Sequence, residues 1–194
     1  MIGLGAGTLA AYGRKGDVLR FYEIDPKAVE MSGRHFSYCR DTPARVNLVL
    51  GDARVMLERE RNEGQAQGFD VLAVDAFSSD AIPMHLLTRE CFDLYWEHLQ
   101  PDGVLCVHVS NRFLELKPLV EGLALGRGFH ALYVDNDEDD VIGADPNGWM
   151  LVTRNRAFLE APEVKRLESK WERPKPMPEP WTDDYASLFS VLKS

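Results

Sequence analysis

Cysteine is scarce in this sequence. The three that occur, Cys39, Cys91 and Cys106, are widely separated, and none belongs to a Cys-x-x-Cys pair. With no histidine pair at zinc-like spacing either, a disulfide framework and a metal site are both excluded, and free thiols in a reducing compartment are the simple reading. Long apolar runs are also missing: none approaches the ~18–20 residues that span a bilayer. Nor is Met1 followed by the basic and then apolar stretch of a secretory signal. The segment therefore reads as cytoplasmic, with no membrane contact of its own. Basic charge is in deficit, because Lys+Arg total 22 against 31 for Asp+Glu, a net charge of −9. Phosphate binding needs a basic face, so nucleic acid is not the expected partner. An acidic surface serves solubility and also suits a cationic substrate.

What is there is an alternation of short apolar runs and longer amphipathic stretches. Strands are predicted at Val18–Glu23, Val46–Leu50, Phe69–Asp75, Val104–Ser110, Phe129–Asp135 and Trp149–Arg154. Several are apolar almost throughout, which suits burial on both faces. Helices are predicted at Pro26–Cys39, with Asp25 as cap and Pro26 in the first turn, and at Ala53–Asn62, Thr88–Leu99 and Leu114–Leu125. Gln100-Pro-Asp-Gly103 reads as a turn. Phe92, Tyr95, Trp96 and Leu99 form one stripe at helical spacing and read as core. The order implies an α/β, doubly wound, mostly parallel sheet. No helical pattern separates the last two strands, so they form an antiparallel final pair. In Arg173–Pro180 every second residue is proline, an extended linker. Beyond it, Thr182–Lys193 places Tyr185, Leu188, Phe189 and Leu192 at i, i+3, i+4 and i+7. The expected organisation is a nucleoside-binding domain over 1–172, a linker over 173–180 and a docking helix within 181–194.

The chemistry begins at Gly3-Leu-Gly5-Ala-Gly7-Thr8. A turn of this composition lets a ligand approach the backbone closely. The strand that follows ends in Glu23, where a carboxylate can accept ribose hydroxyls. Asp25 reads as a helix cap. Gly51-Asp52-Ala53 closes the next strand, where Asp52 can reach an adenine edge. Only Met1 and Ile2 precede Gly3, so the buried strand that should lead into the turn is expected to be lacking. The chain then reads as truncated, and residues 1–194 alone are expected to bind nucleoside weakly in calorimetry.

Strand 69–75 ends in Asp75, followed by Ala-Phe-Ser-Ser-Asp80. In open α/β sheets ligands sit at the carboxyl ends of strands, so Asp75 and Asp80 face the same crevice as Glu23. A carboxylate there can hold an alkylammonium and take up its proton as general base; each aspartate could equally cap a turn. The acidic run from Asp135 to Asp140 reads as a solvated loop or as an attractor of polycations. His85 stands next to the carboxylate loop as a supporting or packing group. His35, His98, His108 and His130 show no constellation.

Together these residues resemble the spermidine synthase (polyamine aminopropyltransferase) family. The carriers are the glycine turn, Tyr22-Glu-Ile-Asp25, Gly51-Asp-Ala53, Val74-Asp-Ala-Phe-Ser-Ser-Asp-Ala-Ile-Pro83 and His85-Leu-Leu-Thr88. Trp181-Thr-Asp-Asp-Tyr185 is similar to bacterial spermidine synthase-like domains fused behind membrane-transporter segments. The resemblance implies a sheet of the class I S-adenosylmethionine-dependent methyltransferase type. It implies transfer of an aminopropyl group from decarboxylated S-adenosylmethionine to a polyamine such as putrescine, without a metal. On that model Glu23 binds the ribose, Asp52 and Ala53 the adenine, and Gly3, Gly5 and Gly7 line the nucleoside. Asp75 deprotonates the amine, with Asp80 beside it. A homodimer is compatible with it. Two other functions use the same features: an S-adenosylmethionine-dependent methyltransferase, and a non-catalytic ligand-binding domain of a membrane-fused protein.

Overall fold

The computed structural model describes residues 1–76, 83–136 and 146–193. In chain order the elements are β1 (Val18–Glu23), α1 (Pro26–His35), α2 (Tyr38–Asp41), β2 (Arg45–Leu50), α3 (Ala53–Asn62), β3 (Phe69–Val74) and α4 (Arg89–His98). They continue with β4 (Leu99–His108), α5 (Lys117–Leu125), β5 (His130–Asn136), β6 (Asn147–Thr153), α6 (Arg156–Glu160) and α7 (Pro162–Lys165). Strand β1 pairs in parallel with β2, and β3 in parallel with β4. Strand β6 inserts between β4 and β5, antiparallel to both, so the expected antiparallel final pair is present. The fold is the α/β, mostly parallel architecture read from the strand pattern.

The two halves of the sheet, β1-β2 and β3-β4-β6-β5, meet at Ile2. Its N–H donates to the Ala73 carbonyl at 2.7 Å and its carbonyl accepts from the Asp75 N–H at 2.9 Å. On the other side, the Gly3 N–H donates to Tyr22 O at 2.9 Å, and the Tyr22 N–H to Met1 O at 2.9 Å. Ile2 is 1% exposed and thus takes the place of a central strand between β1 and β3.

Helices pack where the apolar spacing put them. Phe92 and Tyr95 of α4 and Leu119 and Leu123 of α5 are buried against Leu72, Leu105, Met150 and Val152 of the sheet. Asp25, Asp52 and Thr88 cap their helices, each side chain accepting a backbone N–H.

Three expectations need correction. The first helix ends at His35, since Phe36 turns to extended geometry and donates its N–H to Ser32 O; a short separate helix, α2, follows. The turn at Gln100–Gly103 is absorbed into β4, where the pairing register jumps between Phe69 and Val71. The tail does not form the helix expected over 182–193. It holds only a 3-10 turn, Leu188–Val191, with Tyr185 and Phe189 exposed. Trp181, fully buried, docks this segment instead, and the chain bridges back at Leu114↔Leu192. Asp183 is held by Arg54 and Thr88. The proline-rich stretch is anchored too, through Arg173 on the buried Glu121.

Candidate active site

The carboxyl ends of β1, β2, β3 and β4 form one rim, and the glycine turn lies on it. All three glycines have positive φ: Gly3 91°, Gly5 54° and Gly7 82°. A side chain is also sterically forbidden at Gly3, where a Cβ would stand 2.2 Å from the Asp75 carbonyl oxygen. At Gly5 a Cβ would meet nothing within 4 Å, so this glycine is required by conformation and leaves the space above the turn open.

The turn is tied to Glu23. The Leu4 N–H donates to Oε2 at 3.0 Å and the Asp25 N–H donates to Oε1 at 2.9 Å. Two backbone donors thus fix the carboxylate over the turn, each oxygen keeping lone pairs for a further donor. From the other side, the Ser32 hydroxyl donates to the Ala6 carbonyl at 3.1 Å.

Asp52 stands at the start of α3. Its Oδ1 accepts from the Val55 N–H at 3.1 Å, and its Oδ2 lies 2.9 Å from Nε2 of His85. One carboxylate oxygen therefore caps the helix while the other meets His85. Ala53 packs its side chain into the core, so only its backbone faces the rim. Arg54 secures this corner. Its guanidinium donates to the His85 carbonyl at 3.0 Å and grips Asp183 through Nη1 at 2.7 Å and Nη2 at 2.5 Å. That bond holds the Asp183 carboxyl below the usual carboxylate range.

Asp75 follows β3 directly. Its side chain is 37% exposed, and Oδ1 lies 2.7 Å from Nδ1 of His108, at the end of β4. Gly3 sits between it and Glu23: the strand leading into the turn bonds β1 at Tyr22 and receives the Asp75 N–H. Glu23, Asp52 and Asp75 are thus gathered on one rim. Asp80 lies outside the described residues, as does most of the acidic run beyond Asn136.

His108, Arg54 and Asp183 were not singled out by sequence. The signal for His108 was its place at the end of a predicted strand parallel to the one carrying Asp75. Burial pushes the Cys91 and Cys106 thiols each up to about 12, which disfavours their thiolates. A groove of about 1110 Å³ opens elsewhere, between the proline-rich stretch and the tail, lined by Glu115, Arg173, Lys175 and Lys193. It contains none of the rim acids.

No family model matches the chain. A probable polyamine aminopropyl transferase of Bifidobacterium longum is 31% identical over 114 residues, 57% of this chain and 23% of that protein. The polyamine aminopropyltransferase of Vibrio vulnificus is 37% identical over 91 residues, 47% of this chain and 28% of that one. The matches thus span about a quarter of these relatives. Spermidine synthase from Thermotoga maritima superposes with a TM-score of 0.60 at 17% identity, over 94% of this chain and 61% of that chain. Human methyltransferase-like protein 13, solved with SAH, gives 0.59 at 18% identity, over 91% of this chain and 85% of that one. At these identities the superpositions speak for the fold. The chain is thus similar in sequence to polyamine aminopropyltransferases over about half its length, and it carries the class I S-adenosylmethionine-dependent methyltransferase fold.

Proposed function

We propose that this domain transfers an aminopropyl group from decarboxylated S-adenosylmethionine to a polyamine such as putrescine, in the cytoplasm. The observation that carries the reading is Glu23 and Asp75 on either side of Gly3, a carboxylate over the glycine turn and a second at the next strand end. Glu23 and Asp52 serve the ribose and adenine. Asp75 serves the acceptor. An alkylammonium is not nucleophilic until it loses a proton, and a nearby carboxylate both attracts it and takes that proton. The nitrogen lone pair then attacks the methylene bound to the sulfonium. The carbon–sulfur bond breaks, its electron pair stays on sulfur, and the products are methylthioadenosine, the secondary ammonium and a protonated Asp75. The cation is spent at sulfur, so the chain's task is to bring two cations together. A net acidic protein with carboxylates at the contact favours this.

Methyl transfer from S-adenosylmethionine is the second reading, favoured by the similarity to methyltransferase-like protein 13, solved with SAH. The same rim would serve it, because the two donors share adenosine. The test incubates the full protein with putrescine and either donor and follows products by mass spectrometry. Methylthioadenosine supports aminopropyl transfer, S-adenosylhomocysteine supports methyl transfer, and neither product refutes both. Asp75→Asn is expected to lower turnover at least a hundredfold while donor affinity changes less than about twofold. Full turnover in that variant removes Asp75 from the mechanism.

A further inference from the structure

We infer that His108 is the positioning residue of Asp75, fixing which carboxylate oxygen receives the acceptor's proton. The inference rests on the transfer reading above and adds a residue to it. The register places Val107 of β4 opposite Val74 of β3, so the next residues, His108 and Asp75, meet across the parallel pair. Nδ1 lies 2.7 Å from Oδ1. Two lone pairs cannot face each other at that distance, so one proton lies between them, which the Nδ1–H tautomer of the imidazole supplies. His108 therefore donates through Nδ1–H and Asp75 accepts as a carboxylate.

The ring is held in this orientation from behind. His108 pairs directly with Trp149 of β6, and the imidazole stacks on the indole with centroids 5.0 Å apart and planes 21° from parallel. The indole is fixed in turn, its Nε1–H donating to Asn147 Oδ1 at 3.1 Å. Cross-strand stacking thus aims the imidazole, and the imidazole aims the carboxylate. The exposures assign the roles: the Asp75 side chain is 37% exposed and that of His108 20%. The carboxylate is the group that an amine reaches, and with Oδ1 engaged the proton goes to Oδ2. Among the described residues His85 and Asp52 make the other such pair, but His85 is 48% exposed and unstacked on any described ring.

The experiment compares His108→Leu and His108→Asn in the full protein, together with ¹⁵N NMR of the wild-type imidazole. A leucine removes the donor; an asparagine amide returns an N–H near the position of Nδ1. His108→Leu is expected to lower kcat by roughly 10–100-fold, with KM for the donor unchanged within twofold. His108→Asn is expected to regain at least a tenth of the wild-type rate. Should the leucine variant fail to fold, the asparagine variant and the spectrum still decide. Wild-type kcat in His108→Leu, or a wild-type imidazole protonated at Nε2 alone, overturns the inference. A wild-type protein that yields no product with either donor overturns the transfer reading instead, and the Nδ1 proton is still read from the spectrum.

Discussion

The bond between Arg173 and Glu121 makes a demanding test of how the proline-rich stretch is held. Glu121 of α5 is 4% exposed. Arg173 supplies Nε at 2.8 Å and Nη2 at 2.7 Å to its two carboxylate oxygens, and its guanidinium lies 5.0 Å from the Trp171 ring centroid. Replacing Arg173 by methionine keeps most of the aliphatic stem and removes the charge, leaving a carboxylate in the interior with no counter-ion. Breaking a fully buried pair costs about 3–5 kcal/mol. The Arg173 side chain is 56% exposed, so water reaches the vacated side, and about 2–3 kcal/mol is the expected loss. For a chain of this length that lowers the thermal midpoint by roughly 4–12 °C. Urea unfolding followed by tryptophan fluorescence measures the loss as a shifted midpoint at constant slope. Adding Glu121→Leu to Arg173→Met is expected to recover most of the stability, since an apolar pair replaces a buried ionic one at little net cost. An Arg173→Met protein that unfolds at the wild-type midpoint refutes the anchoring and makes residues 173–180 a free linker.

Two further outcomes are expected. Gly3→Ala combines positive φ with a Cβ 2.2 Å from backbone, and is expected to cost about 3 kcal/mol and to weaken donor binding at least tenfold; Gly5→Ala, with open space, is expected to cost only about 1–2 kcal/mol. Equal midpoints in urea for the two variants would contradict the close approach at Gly3. His98 is fully buried, Nε2 lying 3.0 Å from Leu57 O while Nδ1 accepts from the Gln67 N–H, so the fold holds the neutral ring and burial lowers its pKa. The unfolded chain then takes up the proton first, so stability is full above about pH 6.5 and declines as the pH falls toward the lowered folded value; His98→Gln is expected to flatten that part of the stability–pH curve, and an unchanged slope would remove His98 from it.

Much of this architecture was readable because it is local. Apolar runs gave the strands, caps such as Asp25 and Thr88 the helix starts, and the glycine turn with Glu23 and Asp75 the rim. Each depends on residues near one another in sequence. What escaped depends on tertiary pairing. His108 gains its role from strand register, which joins it to a residue 33 positions away. Asp183 lies in the stretch expected as a tail helix, yet Arg54 captures it across 129 positions. The apolar spacing of the tail suits a helix in isolation, but burying Trp181 and bridging Leu192 to Leu114 dictates another path. Local propensity loses there to packing.

The meeting of two half-sheets at Ile2 has a mechanical consequence. Glu23 belongs to one half and Asp75 to the other, so the short segment Met1–Gly3 sets the spacing of the two carboxylates. Loosening it would leave each half its own ladder and helices and still shift one carboxylate against the other. The seam is therefore also the place where small displacements matter most.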